Sequence, residues 1–237
     1  MKITYYTDYN EMSEKAKSLI VNTLQEKEDS LLCLATGSSP LKTYQLLAES
    51  YQKQKSLFDQ VRILKLDEWG GVAMNDAQTC ESYLYKNIIK PLGISNNRYF
   101  AFTSDPINPQ KECEKIQNII EAQGPIDVCV LGLGINGHIG FNEPNEFLTP
   151  YCHVATLSQA SMQHSMAQAM QEQPTYGMTL GIANILSSKK IILLVTGNNK
   201  KPAFEKLLEK RISTWLPASL LWLHPNVACL VDETVIN

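Results

Sequence analysis

The chain predicts a Rossmann-like α/β fold, a mostly parallel sheet with helices on both faces, and three observations carry that expectation. Short apolar runs rich in β-branched residues alternate with segments whose apolar residues recur at helical spacing. The run at 128–131 is apolar at every position, as a strand covered on both faces must be. Several runs end in glycine, hydroxyl or carboxylate clusters, and ligands of open α/β sheets bind at the carboxyl ends of their strands. A length of 237 residues, 44% of them apolar, suits one domain over 1–237.

Residues 3–6 read as a first strand, and over 10–26 Met12, Ala16, Leu19, Ile20 and Leu24 mark a helix. Residues 31–36 form a second strand. Gly37-Ser38-Ser39-Pro40 follows and opens a helix through 47, with proline where a first turn tolerates it. A third strand, 61–66, ends in Asp67-Glu68-Trp69-Gly70-Gly71. A helix over 79–89 is stopped by Pro91 and Gly93, a short strand spans 99–102, and a helix spans 109–122. After the strand at 128–131, residues 147–171 carry no Asp, Glu, Lys or Arg and read as a weakly specified surface helix. Residues 176–186 read as a helix and 191–196 as a strand. Gly197-Asn198-Asn199-Lys200-Lys201-Pro202 then opens another helix, and the 216–221 segment with a strand at 227–231 completes the sheet.

The chemistry concentrates in 127–144, DVCVLGLGINGHIGFNEP. A buried strand breaks there into Gly132, Gly134, Gly137 and Gly140, and presents Asn136, His138 and Glu143. An imidazole and a carboxylate on such a loop make an acid/base pair. Glycines, Gly137 among them, let backbone approach a ligand. Gly132 to Gly137 matches G-x-G-x-x-G, yet a nicotinamide site needs a helix at the glycines and an acidic residue about 20 positions on. Gly140, Asn142 and Pro144 oppose the helix, and the acidic residue is missing. His138 and Glu143 lack a neighbouring His or Cys at ligand spacing, so a metal site is not expected.

Two further turns suit an anion. Thr36-Gly37-Ser38-Ser39 offers hydroxyls and free N–H groups at a helix start, although an ordinary N-cap turn has the same composition. Lys200 sits where a helix dipole opposes it, which an anionic ligand would offset; a solvated surface lysine is the plainer reading. Asp67 and Glu68 leave an apolar strand and suit proton transfer, or simply a solvated strand end.

Composition narrows the rest. A net charge near −3 gives no reason to expect nucleic acid or an anionic membrane as partner. The six cysteines form no C-x-x-C, and no run of 18 apolar residues or basic-then-apolar leader occurs, so a cytoplasmic, reduced setting is expected. A homo-oligomer is left open.

CLATGSSPLKTY, KLDEWGG, VLGLGINGHIGFNEP, MTLGIANIL, LLVTGNNKKPAF and LPASLLWLH, in that order, resemble the glucosamine-6-phosphate deaminase family, which includes galactosamine-6-phosphate isomerases. DEW, TCESYL and ASLLWLH look closest to the galactosamine branch. The resemblance implies a cofactor-free isomerase/deaminase acting on an amino sugar phosphate. It implies Asp67 as the base between C2 and C1, and His138 with Glu143 in ring opening. Asn136 stands where some relatives place an aspartate. The turn at Thr36, Gly37 and Ser38 and the amine of Lys200 would hold the phosphate, and a lid would lie at about 147–176. Where the glucosamine enzymes carry a lid arginine this chain has Ser161-Met162, with His164 as a substitute. A lactonase-type hydrolase and a catalytically silent sugar-phosphate sensor are the rival classes. The first lacks support from Phe141-Asn142-Glu143-Pro144, and the second would not need Asp67, His138 and Glu143 together.

Overall fold

Seven of the apolar runs pair into one parallel sheet in the structure, a computed structural model that describes residues 1–236. Its strands are β1 (Lys2–Tyr6), β2 (Leu31–Leu34), β3 (Arg62–Lys65), β5 (Tyr99–Phe100), β6 (Val128–Gly132), β9 (Lys190–Val195) and β10 (Val227–Asp232). They lie in the order β1-β10-β9-β6-β2-β3-β5. The intervening strands β4 (Asp67–Gly70), β7 (His153–Ala155) and β8 (Tyr176–Thr179) form a separate antiparallel sheet in the order β4-β8-β7.

Alternation along the buried strands sends side chains to two cores. Leu32, Leu34, Val128, Val130, Ile192 and Leu194 face α1 (Tyr9–Glu26) and α2 (Ser38–Lys53) on one side. Cys33, Cys129, Leu131, Ile191 and Leu193 face α4 (Pro109–Gln123), α7 (Ile182–Leu186) and α8 (Lys201–Leu208) on the other. Both faces are therefore covered, as near-continuous apolar strands require. All six cysteines are buried and free, and those on the strands pack as small apolar groups.

After β2 the chain steps outward to β3 and β5, then returns to place β6 on the other side of β2. The carboxyl ends of β2 and β6 thus flank a topological switch point, the position where open α/β sheets form their crevice. The turn after β2 carries Thr36 to Ser39, and the loop after β6 carries Asn136 to Glu143.

The expected helix over 176–186 is a strand followed by a helix. Tyr176–Thr179 pairs with Asp67–Gly70, and only after Leu180 and Gly181 does α7 begin. Local propensity is overridden because this segment is the central strand of the small sheet, paired with β4 on one side and β7 on the other; Gly177 has no room for a side chain, since an added Cβ would sit 2.6 Å from Phe141 Cδ2. Asp67 to Gly70, read as a strand end, is itself a strand. The helix after Gly37 runs to Lys53, and Pro217–Leu223 is a 3₁₀ helix and no part of the sheet. Residues 147–171 are not one surface helix: they hold β7, α5 (Gln159–Met162) and α6 (Ser165–Ala169). Ala155 of β7, Met166 and Ala167 of α6, and Met170 pack with Trp69, Cys80 and Phe141 in a third core. Among the described residues no helix is long and apolar enough to cross a membrane.

Candidate active site

The crevice at the switch point is a cavity of about 670 Å³, lined among others by Thr36, Gly37, Ser38, Asp67, His138 and Lys200. Four separate stretches supply those six residues, so the sheet and its loops bring together what the chain keeps far apart.

Asp67 enters from the first residue of β4, with a side chain that is buried yet lines the cavity. Burial raises its pKa, the neighbouring Glu68 carboxylate raises it further, and Lys65 and the Cys80 thiol act against them; the result is about 7. Glu68 points the other way. It accepts from Lys65 Nζ at 2.6 Å and from the backbone N–H groups of Trp69, Cys80 and Glu81 at 2.8–2.9 Å. It thereby fastens β4 to the start of α3 (Cys80–Leu84). Of the two adjacent carboxylates, one is free for chemistry and the other is structural.

Across the cavity His138 Nδ1 lies 3.0 Å from Glu143 Oε2. Burial alone would raise the Glu143 pKa, but hydrogen bonds and charge from His138, together with Ser161 and Asn136, bring it down to about 2. The ionised carboxylate accepts from Nδ1–H, which leaves Nε2 as the imidazole's free acceptor. Asn136 Nδ2 donates to the same Oε2 at 2.9 Å, and Asn136 Oδ1 accepts from the His138 backbone N–H at 3.1 Å. An amide can do both, whereas an aspartate would place a second charge beside Glu143. Gly134 lies under the ring, where an added Cβ would come within 2.1 Å of His138 Cδ2.

The turn after β2 is open to an anion. Gly37, at φ +100°, caps α2 without a side-chain hydrogen bond, and no acidic residue occupies the first turn. The turn's carbonyls are tied away: Tyr83 donates its hydroxyl to Gly37 O and Tyr9 to Ser38 O, each at 2.6 Å. The helix N-terminus and its free N–H groups remain for a ligand. Thr36 Oγ1 sits 3.3 Å from Cys80 Sγ. Lys200 lines the same end, its pKa lowered by burial, and it makes no salt bridge among the described residues. A half-buried ammonium with no carboxylate partner among the described residues, lining the same cavity as a helix N-terminus, fits a phosphate-sized anion.

Gly137 does not line the cavity. Its N–H donates to Gly134 O at 3.0 Å, its carbonyl accepts from Ala218 N at 2.9 Å, and its Cα faces Leu216. Its φ of +86° explains the glycine, so its part is to turn the loop and not to touch a ligand. Sequence reasoning passed over Ser158 and noted Ser161 only as the place of a missing arginine. Asn136 Nδ2 donates to Ser158 Oγ at 3.2 Å, and Ser161 Oγ donates to Glu143 Oε1. Serines in an uncharged, low-contrast stretch give no signal that they will close over a carboxylate 15 or more residues earlier.

Fold and site define a class: an α/β protein with a buried carboxylate of raised pKa, an imidazole–carboxylate pair and an open helix N-terminus around one cavity at the switch point. Residues 8–230 match the family described as glucosamine-6-phosphate isomerases/6-phosphogluconolactonase. The chain belongs to that family. Over 225 residues it is 40% identical to AgaI of Escherichia coli (strain K12), a deaminase by name, covering 95% of this chain and 89% of that one. It is 35% identical to the glucosamine-6-phosphate deaminase of Clostridium novyi (strain NT), covering 98% of each. The solved structure of a monomeric glucosamine-6-phosphate deaminase superposes with a TM-score of 0.94 at 34% identity, over 100% of this chain and 99% of that one. A 6-phosphogluconolactonase from Trypanosoma brucei shares the fold at a TM-score of 0.75 and 17% identity, over 99% and 97% of the two chains.

Proposed function

We propose that the protein is an aminohexose-6-phosphate isomerase/deaminase, and that galactosamine 6-phosphate is its preferred substrate. The observation that carries the reaction class is the placement of a carboxylate of pKa about 7, an imidazole–carboxylate pair and an unpaired lysine around one cavity.

The phosphate sits between the Thr36, Gly37 and Ser38 turn and Lys200, which leaves the sugar carbons toward Asp67 and His138. His138 Nε2 moves the proton that opens the ring, and Glu143 holds the other ring nitrogen and stabilises the imidazolium that forms. Asp67 takes the proton from C2 of the open aldose and returns it to C1. With an amine proton passing to O1, which becomes a hydroxyl, C2 is then an imine, which water hydrolyses to a ketone and ammonia. A general base is most effective when its pKa lies near the working pH, and burial brings Asp67 there. His138→Gln should slow reaction from the closed ring far more than from pre-opened sugar, as anomer-resolved rates would register.

The epimer preference rests on Asp67-Glu68-Trp69, Thr79-Cys80-Glu81-Ser82-Tyr83-Leu84 and Ala218-Ser219-Leu220-Leu221-Trp222, worded as in the galactosamine branch. The absence of an arginine at Ser161-Met162 points the same way. Glucosamine 6-phosphate is the second reading, favoured by the TM-score of 0.94 to a glucosamine-6-phosphate deaminase. Initial rates on both epimers, with ammonia and ketose phosphate followed separately, decide between them. A site that pairs the axial C4 hydroxyl should prefer galactosamine 6-phosphate by roughly ten- to a hundredfold in kcat/KM. Equal or reversed preference sinks the galactosamine assignment, and ketose without ammonia makes the protein an isomerase alone.

A further inference from the structure

His164 is placed as no surface histidine would be. It stands between α5 and α6, lines the cavity, and lies beside the Trp69 ring with centroids 6.3 Å apart. Its Nδ1 accepts the Met166 backbone N–H at 3.3 Å and so caps α6. That bond leaves Nε2 as the donor of the neutral ring. Nε2 reaches over the anion turn, 3.8 Å from where a Cβ on Gly37 would lie. Burial, then the positive charge of nearby Lys200, then His138, lower the His164 pKa. His164 and Lys200 therefore line the same cavity as the helix N-terminus, with His164 Nε2 beside Gly37 and the Lys200 charge close enough to act on it.

The same short segment is fixed at its other end. Ser158 Oγ accepts from Asn136 Nδ2, and Ser161 Oγ donates to Glu143 Oε1. Residues 158–166 thus span from the catalytic pair to the anion turn.

We propose that His164 binds the phosphate monoester from the side of the 158–166 segment, and that phosphate held there keeps Ser161 on Glu143. The inference rests on the proposed amino-sugar-phosphate reading. It deepens that reading by naming the group that takes the place of an arginine and by tying phosphate binding, through one short segment, to the Ser161–Glu143 contact. Ser161 is in these terms a positioning residue.

The test uses inorganic phosphate as probe, so that it does not depend on turnover. Phosphate should raise the melting temperature of the wild-type protein, and Lys200→Ala should abolish most of that rise. His164→Asn is the informative variant: its side-chain oxygen can still cap α6, but nothing reaches the turn. It should weaken phosphate binding by about ten- to a hundredfold, with a melting temperature near wild type when phosphate is absent. His164→Gln, whose amide nitrogen extends about as far as Nε2, should recover part of the binding. Phosphite added to the unphosphorylated amino sugar should stimulate the wild type and fail to stimulate His164→Asn. If phosphate stabilises the wild type and not Lys200→Ala, yet His164→Asn binds as wild type, the inference falls and the substrate reading stands. If the wild type does not respond to phosphate, both fall. Stimulation by phosphite that survives in His164→Asn, or is absent from the wild type, overturns the link to the catalytic pair.

Discussion

Asp67 and Glu68 are adjacent carboxylates in one strand, yet the pleat sends them to opposite faces and into opposite roles. Glu68 is buried with four donors within 2.9 Å, whereas Asp67 has only the Cys80 thiol at 3.9 Å. Asp67→Asn should lower turnover by about 10²–10⁴-fold with substrate binding nearly intact; a variant that keeps a third of wild-type turnover removes Asp67 from the base role. The acidic limb of kcat/KM should lie near pH 7, the free enzyme's value for this group. In kcat it should move lower, because the bound substrate's ammonium favours the carboxylate. The two neighbouring lysines separate as cleanly. Lys201 Nζ donates to Ile236 O at 2.8 Å, whereas Lys200 lines the cavity. Lys200→Ala should raise KM about ten- to a hundredfold with a smaller effect on kcat, and Lys201→Ala should not. The reverse result would assign the phosphate contact to the wrong lysine.

At the scale of elements, the loop after β6 is held by a backbone only glycine adopts readily at position 137. Gly137→Ala puts a side chain at φ +86° and within 2.2 Å of Leu216 Cδ1. Strain and overlap together should cost on the order of 1–3 kcal/mol. Urea unfolding should show the loss as a lower midpoint at unchanged slope; wild-type stability in this variant would refute the turn assignment. The three-stranded sheet does a different task. It is the frame on which Trp69, Phe141 and Met166 pack, with Trp69 and Phe141 ring centroids 4.6 Å apart, and it joins Asp67 to the 147–176 region. Residues 155–170 reach this small core through Ala155, Met166, Ala167 and Met170, while Leu148, Cys152, Val154 and Tyr176 anchor the rest of the region to a core of the main sheet; we propose that the part resting on the small core is the one that moves as a lid.

For the whole molecule, the site leaves a signature in stability. Asp67 is raised from 3.8 to about 7, so between those values the folded state holds a proton that the unfolded state has lost. Its contribution is fully present below about pH 4 and declines as the pH rises through 7. Glu143 is lowered from 4.5 to about 2, so its contribution is present above pH 4.5 and is lost as the pH falls through 2. Asp67→Asn should therefore be more stable than wild type at pH 8, by on the order of 2–4 kcal/mol, with the difference vanishing near pH 4. Melting temperatures of the two proteins across that range would check it. A wild type whose advantage grows with pH would mean that Asp67 is not held in a disfavoured charged state.

Much of this was legible in the chain because it depends on local order. Apolar runs, their spacing and the glycine-rich turn after residue 131 determine a doubly wound sheet, and His138 and Glu143 meet because only four residues of loop separate them. Helix starts marked Lys200 and the Gly37 turn as places where an anion would fit, but only the family resemblance raised that above an ordinary N-cap turn and a surface lysine. Tertiary structure decided what depends on distant pairing. Tyr176–Thr179 is extended only because Asp67–Gly70 lies beside it. Ser161 matters only because the fold carries it to Glu143, and Gly137 proves a turn residue because Leu216 fills the space beside it. Which of two adjacent carboxylates stays free was settled by where Lys65 and the start of α3 come to rest, and no spacing in the sequence encodes that contact.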